Sequence, residues 1–115
     1  MANGGGRSGG ETWRFVATPT VEGRQAVLRL EGRLGHYGAA LLKASGDRLL
    51  AQGIDRLALD LSAVDYMSSA GVRTIDELAA ALEARSGRLR LLNPTEPVKL
   101  VLDLSDLTER LTKDG

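Results

Sequence analysis

A chain of 115 residues with 43% hydrophobic content can bury one core and is too short for two typical domains. Its 15 basic and 15 acidic residues cancel and are interspersed, which argues against nucleic acid and anionic membrane as partners. With no cysteine, the sequence excludes disulfides, thiolate catalysis and zinc ribbons.

Residues 1–11 are rich in glycine, lack the apolar run of a secretory signal and read as a flexible tail, leaving 12–115 as the domain. No segment approaches the roughly 18 apolar residues of a membrane span, so a soluble, cytoplasmic protein without membrane insertion is expected. Trp13 to Thr18 predicts a short first strand that breaks at Pro19, with Trp13 covering an edge of the core. Gln25 to Leu34 predicts a second strand through Val27, Leu28 and Leu30, with Gly32 marking its end or a bulge. From Tyr37 to Gln52, the apolar positions Ala40, Leu41, Ala44 and Leu49 recur at roughly helical spacing. Gly46 favours a break in that helix and Gly53 a stop.

Asp55 to Leu61 predicts the third strand, with Leu57, Leu59 and Leu61 on one face. After a short loop, Val72, Ile75, Leu78, Ala79 and Leu82 form the stripe of a helix that ends near Ser86-Gly87. Arg88 to Leu92 has the period of a fourth strand, closed by Asn93-Pro94. Thr95 is placed to cap a helix through Val98, Val101 and Leu102 with Pro97 in its first turn, and Ser105 to Lys113 reads as one more short helix. Strands alternating with helices after an initial hairpin predict a single α/β domain: a mixed sheet of four to five strands with about four helices on one or both faces.

The segment Leu57 to Gly71 carries the functional signal: a buried strand, a loop, and the pair Ser68-Ser69 at a helix entrance. One reading is N-capping, which serine performs well and which contributes about 1 kcal/mol. No capping box sharpens it, because Val72 stands three residues after Ser69. The other reading is a phosphorylation switch, since a new anion there would meet unpaired N–H groups and the positive end of the helix dipole. Ser69 is favoured over Ser68 as the acceptor because it lies nearer the first helical N–H groups. Ala70 and Gly71 keep the entrance sterically open to a partner. Tyr66 and Met67 offer an apolar docking surface, although either also suits the core. Arg73, one turn on, reaches a partner carboxylate or phosphate, or else belongs to a solvated helix face.

Asp60 and Asp65 read as residues that end the strand and satisfy turn N–H groups. His36 is the only histidine and has no ligand residues at metal spacing, so no metal site is expected. No nucleophile–base–acid set and no phosphate-binding loop can be assembled, so neither catalytic residues nor a cofactor is expected, and the chain does not read as an enzyme.

Asp60 to Val72, Asp-Leu-Ser-Ala-Val-Asp-Tyr-Met-Ser-Ser-Ala-Gly-Val, resembles the signature of the STAS domain family of bacterial anti-sigma factor antagonists. The motif Glu31-Gly-Arg-Leu34 and the order of elements from about Trp13 to Lys113 are similar to that family as well. The resemblance implies a STAS-like fold and a protein that binds an anti-sigma factor which is also a serine kinase. It also implies inactivation by phosphorylation of Ser69, with Ser68 as second choice, and resetting by a serine phosphatase. Gly71 matches the family glycine. Ser68 stands in place of a frequent aspartate, Ala70 in place of a second Ser or Thr, and Gly35 in place of the aspartate that usually follows the Gly32 motif. The partner surface so implied comprises Tyr66, Met67, Ser68, Ser69, Ala70, Gly71 and Arg73 together with Gly35, His36 and Tyr37. A monomer is the default. Two other roles fit such a domain, an accessory subunit of a transporter and a scaffold subunit of a stress-signalling complex.

Overall fold

The computed structural model describes residues 14–105 and Leu107. The expected tail and Trp13 lie outside the described residues, as does most of the last expected helix, of which Ser105 forms a turn and Leu107 is helical. The elements follow as β1 (Phe15–Glu22), β2 (Gln25–Leu34), α1 (His36–Ala51), β3 (Arg56–Met67), α2 (Ser69–Glu83), β4 (Arg88–Leu92) and α3 (Glu96–Leu104). The four strands form one mixed sheet in chain order. β1 runs antiparallel to β2, whereas β2, β3 and β4 are mutually parallel. Two successive β–helix–β units therefore put the starts of α1 and α2 at the same end of the sheet.

β2 shows the cleanest alternation, burying Ala26, Leu28, Leu30 and Leu34 and exposing the residues between them. Together with Leu57, Leu59 and Leu61 of β3 and Leu89 and Leu91 of β4, these make the floor of a core built on leucine. Leu42 and Leu49 of α1, Ile75, Leu78 and Leu82 of α2, and Val98 and Leu102 of α3 close it from above. The described helices sit on one face. The alternate sheet residues, such as Val27, Arg29 and Glu31, stay exposed on the other.

Three expectations change in these elements. β1 does not break at Pro19 but runs through it, opposite Leu28, because an edge strand can spare one N–H. The stripe of α1 is not Ala40–Leu41–Ala44–Leu49: Ala40 and Ala44 are exposed, and the buried residues are Gly38, Ala39, Leu42, Gly46 and Leu49. α1 is also unbroken at Gly46. A Cβ there would come within 2.6 Å of Leu78 Cδ2, so the missing side chain lets α1 approach α2.

The loop expected after Leu61 is strand as well. β3 continues to Met67 against β2 alone, with Gly32 opposite Val64 and Leu34 opposite Met67, while β4 stops opposite Asp60. The pairing shifts register between Arg29 and Glu31 and again between Gly32 and Arg33, each time with one extra residue on β3. The bulges therefore lie in β3, and β2 neither ends nor bulges at Gly32 but runs on to Leu34. Thr95 occupies the N-cap position of α3, yet its hydroxyl donates to Val64 O at 2.7 Å and makes no cap bond. It fastens α3 to β3.

Candidate functional site

Leu34 and Met67 are paired at the ends of β2 and β3, and each strand passes into its helix through a single residue, Gly35 or Ser68. The two helix N-termini are thereby brought side by side. Ser68 binds them together: its N–H donates to Leu34 O at 3.0 Å, and its hydroxyl donates to the same oxygen at 3.3 Å. Ser68 Oγ in turn accepts from the N–H of Ala70 at 3.2 Å, which makes Ser68 the side-chain cap of α2. Leu34, which sequence reasoning treated only as a core residue, supplies the carbonyl that anchors this cap. A backbone oxygen leaves no side-chain signal in a sequence.

Ser69 is the first residue of α2 and is exposed. Its hydroxyl makes no hydrogen bond among the described residues. Neither α1 nor α2 has an acidic residue in its first turn, so no carboxylate of those turns offsets the positive ends of the two dipoles. Arg73 lies four residues on, hence on the same side of the helix as Ser69, and is exposed.

The other expected partner residues divide. Tyr66 is 40% exposed and Tyr37 57%, and His36 is exposed between Gly35 and Tyr37. Arg33 stacks over the Tyr66 ring, its guanidinium carbon 4.1 Å from the centroid, and holds that ring in place. Arg33 was visible in the sequence only as part of the Glu31–Leu34 motif. Gly35 is half-buried beside the same ring, and Ala70 is half-buried as well.

Two residues do not belong to a contact surface. Met67 is 4% exposed because it closes the strand on the core side, which removes it from the apolar docking pair. Gly71 is buried, and its role is not openness toward a partner. A Cβ there would lie 2.8 Å from Leu34 Cγ and 2.9 Å from Leu34 O, so glycine allows α2 to seat on the end of β2. Among the described residues, no group of three or more His, Cys, Asp or Glu is placed to hold a metal, and no helix is long and apolar enough to cross a membrane.

Asp60, seven residues before the end of β3, accepts the N–H of Ser62 at 3.0 Å. That bond first, then the Ser62 hydroxyl, the Arg29 guanidinium and Asn93, hold its carboxyl below the usual carboxylate range against the opposing effect of burial. It meets the expectation of a residue that satisfies local N–H groups, although the strand does not end there.

A model of the STAS domain matches residues 16–113. The chain is 32% identical over 82 residues to the anti-sigma F factor antagonist of Lysinibacillus sphaericus, covering 70% of each protein. The anti-sigma factor antagonist SpoIIAA in its unphosphorylated form superposes with a TM-score of 0.76 at 26% identity, over 84% of this chain and 86% of that one. The Bacillus cell fate determinant SpoIIAA in its phosphorylated form gives 0.68 at 27% identity, over 86% and 89%.

Proposed function

The chain belongs to the STAS domain family, and from that premise we propose that it is an anti-sigma factor antagonist controlled by phosphorylation of Ser69. It acts by binding. The docking surface is the edge where α1 and α2 begin, formed by Tyr66, Ser69, Arg73, His36 and Tyr37. The partner is an anti-sigma factor with serine kinase activity, and a serine phosphatase restores the unmodified form. The relatives that carry the antagonist name support the class, and the existence of a phosphorylated SpoIIAA supports modification as the means of control.

One observation carries the reading. Capping requires one serine, and Ser68 performs it completely, with its hydroxyl both donating and accepting. Ser69 is left exposed at the first position of the helix, its hydroxyl without a hydrogen bond among the described residues. A phosphoryl group there adds a charge of about −1.5 to −2 beside two helix N-termini and within reach of Arg73. Intramolecular contacts thus stabilise it, while a partner docked over the same surface would have to desolvate it.

The test is site mapping. The protein is incubated with ATP and an anti-sigma serine kinase, and the phosphate is located by tandem mass spectrometry. The modification is expected on Ser69, abolished in Ser69→Ala and retained in Ser68→Ala. Phosphate on Ser68 in the unaltered protein, or on neither serine, contradicts the proposal.

A further inference from the structure

On the face of the sheet opposite the described helices lies a groove of about 650 Å³, at the end remote from Ser69. Along β3, Arg56 and Ser69 are separated by 13 residues of chain, 12 of them strand, or about 40 Å at ~3.3 Å per residue. The groove is therefore a second surface, independent of the reading of Ser69.

Its lining is unusual for a chain with zero net charge. Arg56 and Arg88 are register partners on adjacent parallel strands, and Arg90 lies two residues along from Arg88, opposite Ala58. The period of two puts all three on the same face. Two arginines directly opposite each other repel and weaken a sheet, so the arrangement is not one that stability favours. Two nearby arginines have carboxylates: Arg24, in the turn between β1 and β2, pairs with Asp55 at 2.8 Å, and Arg29 of β2 pairs with Asp60 and Glu31 at 3.7 and 3.6 Å. Arg56 and Arg90 have none among the described residues. The floor between them is small and apolar, with Ala58 half-buried and Val27 exposed, and Glu22 stands at the far rim on β1.

We propose that this groove binds an acidic polypeptide segment in extended conformation, with its carboxylates paired to Arg56 and Arg90. Guanidinium groups favour carboxylates through paired N–H donors. An extended segment presents alternate side chains about 6.6 Å apart, within arginine reach of the ~7–8 Å between diagonal neighbours on adjacent strands such as Arg56 and Arg90. The apolar floor suits the aliphatic residues between the acids. Nucleic acid fits less well, because a neutral chain supplies little of the long-range field that polyanion binding uses. A second protein could thus be held at this end while the Ser69 end remains free.

The test uses a fluorescein-labelled peptide of about eight residues alternating Glu and Val, long enough to cross the sheet. Anisotropy is measured against the whole chain, and amide shift changes are mapped by NMR. Saturable binding is expected, weakened by added salt and at least about tenfold weaker in the Arg56→Ala/Arg90→Ala double variant. Shift changes are expected on the first halves of β3 and β4 and across Val27, and Ser69→Asp should leave the affinity unchanged. The wild-type mapping stands even if the double variant is unstable. Absence of saturation overturns the proposal, as does binding that maps to the Ser69 end or survives the double substitution. Preferential binding of a single-stranded oligonucleotide at the same residues would replace it with a nucleic-acid surface.

Discussion

The two hydroxyls at the start of α2 are chemically alike and differ only in what surrounds them. Ser68 has a donor and an acceptor within hydrogen-bond reach; Ser69 has solvent. Removing them should therefore affect stability unequally. Ser68→Ala loses the cap and its tie to Leu34 and is expected to cost about 1 kcal/mol, whereas Ser69→Ala should stay within about 0.5 kcal/mol of the parent. Urea unfolding of the three proteins measures this, and the reverse order would contradict the assignment of cap and acceptor. At Asp60 the same local logic gives a pH dependence. Its folded-state carboxyl titrates below the ordinary value, chiefly through the Ser62 N–H, so the folded protein binds fewer protons there than the unfolded chain. The resulting stabilisation is complete above about pH 4 to 5 and fades as pH falls through the folded value. Asp60→Asn should accordingly be less stable than the parent at pH 6, with a gap that narrows toward about pH 3. A gap that stays constant over that range would show that the charge contributes nothing.

At the scale of elements, close approach decides more than hydrophobicity does. In an exposed helix, Gly→Ala adds stability of up to about 1 kcal/mol. Gly46→Ala should instead destabilise by about 1–3 kcal/mol, because the new methyl would meet Leu78 and push α1 from α2. Thermal unfolding checks the sign, and a stabilised variant would refute the packing role. This is also why the phase of α1 was not legible in the sequence. Scoring apolar residues selects Ala40 and Ala44, while the actual contact stripe includes Gly38 and Gly46, which are core residues by virtue of having no side chain. The far half of β3 was hidden for a different reason. Ser62, Asp65 and Tyr66 are exposed because only β2 pairs with that half and the register shifts along it, so the polar pattern resembles a loop. β2 was legible over its full span, as were the helix entrance and the serine pair. Acceptor preference for Ser69 was readable, but that Ser68 makes the cap was not, since that depends on Leu34 O, 34 residues away.

For the whole molecule, parallel β2 and β3 bring the starts of α1 and α2 together at one end of the sheet, while the arginines of β3 and β4 face outward at the other. The first end presents the exposed Ser69 hydroxyl among exposed Tyr37, Tyr66 and Arg73. The switch proposed above needs no rearrangement of the fold, because the added charge would itself alter the proposed docking surface. The most direct test is a calorimetric titration of the anti-sigma factor with three forms of the chain: unmodified, phosphorylated on Ser69, and Ser69→Asp. Tight binding of the unmodified form, weakened at least about tenfold by phosphate and measurably by aspartate, is the predicted result. Equal affinity for the unmodified and phosphorylated forms would contradict the account.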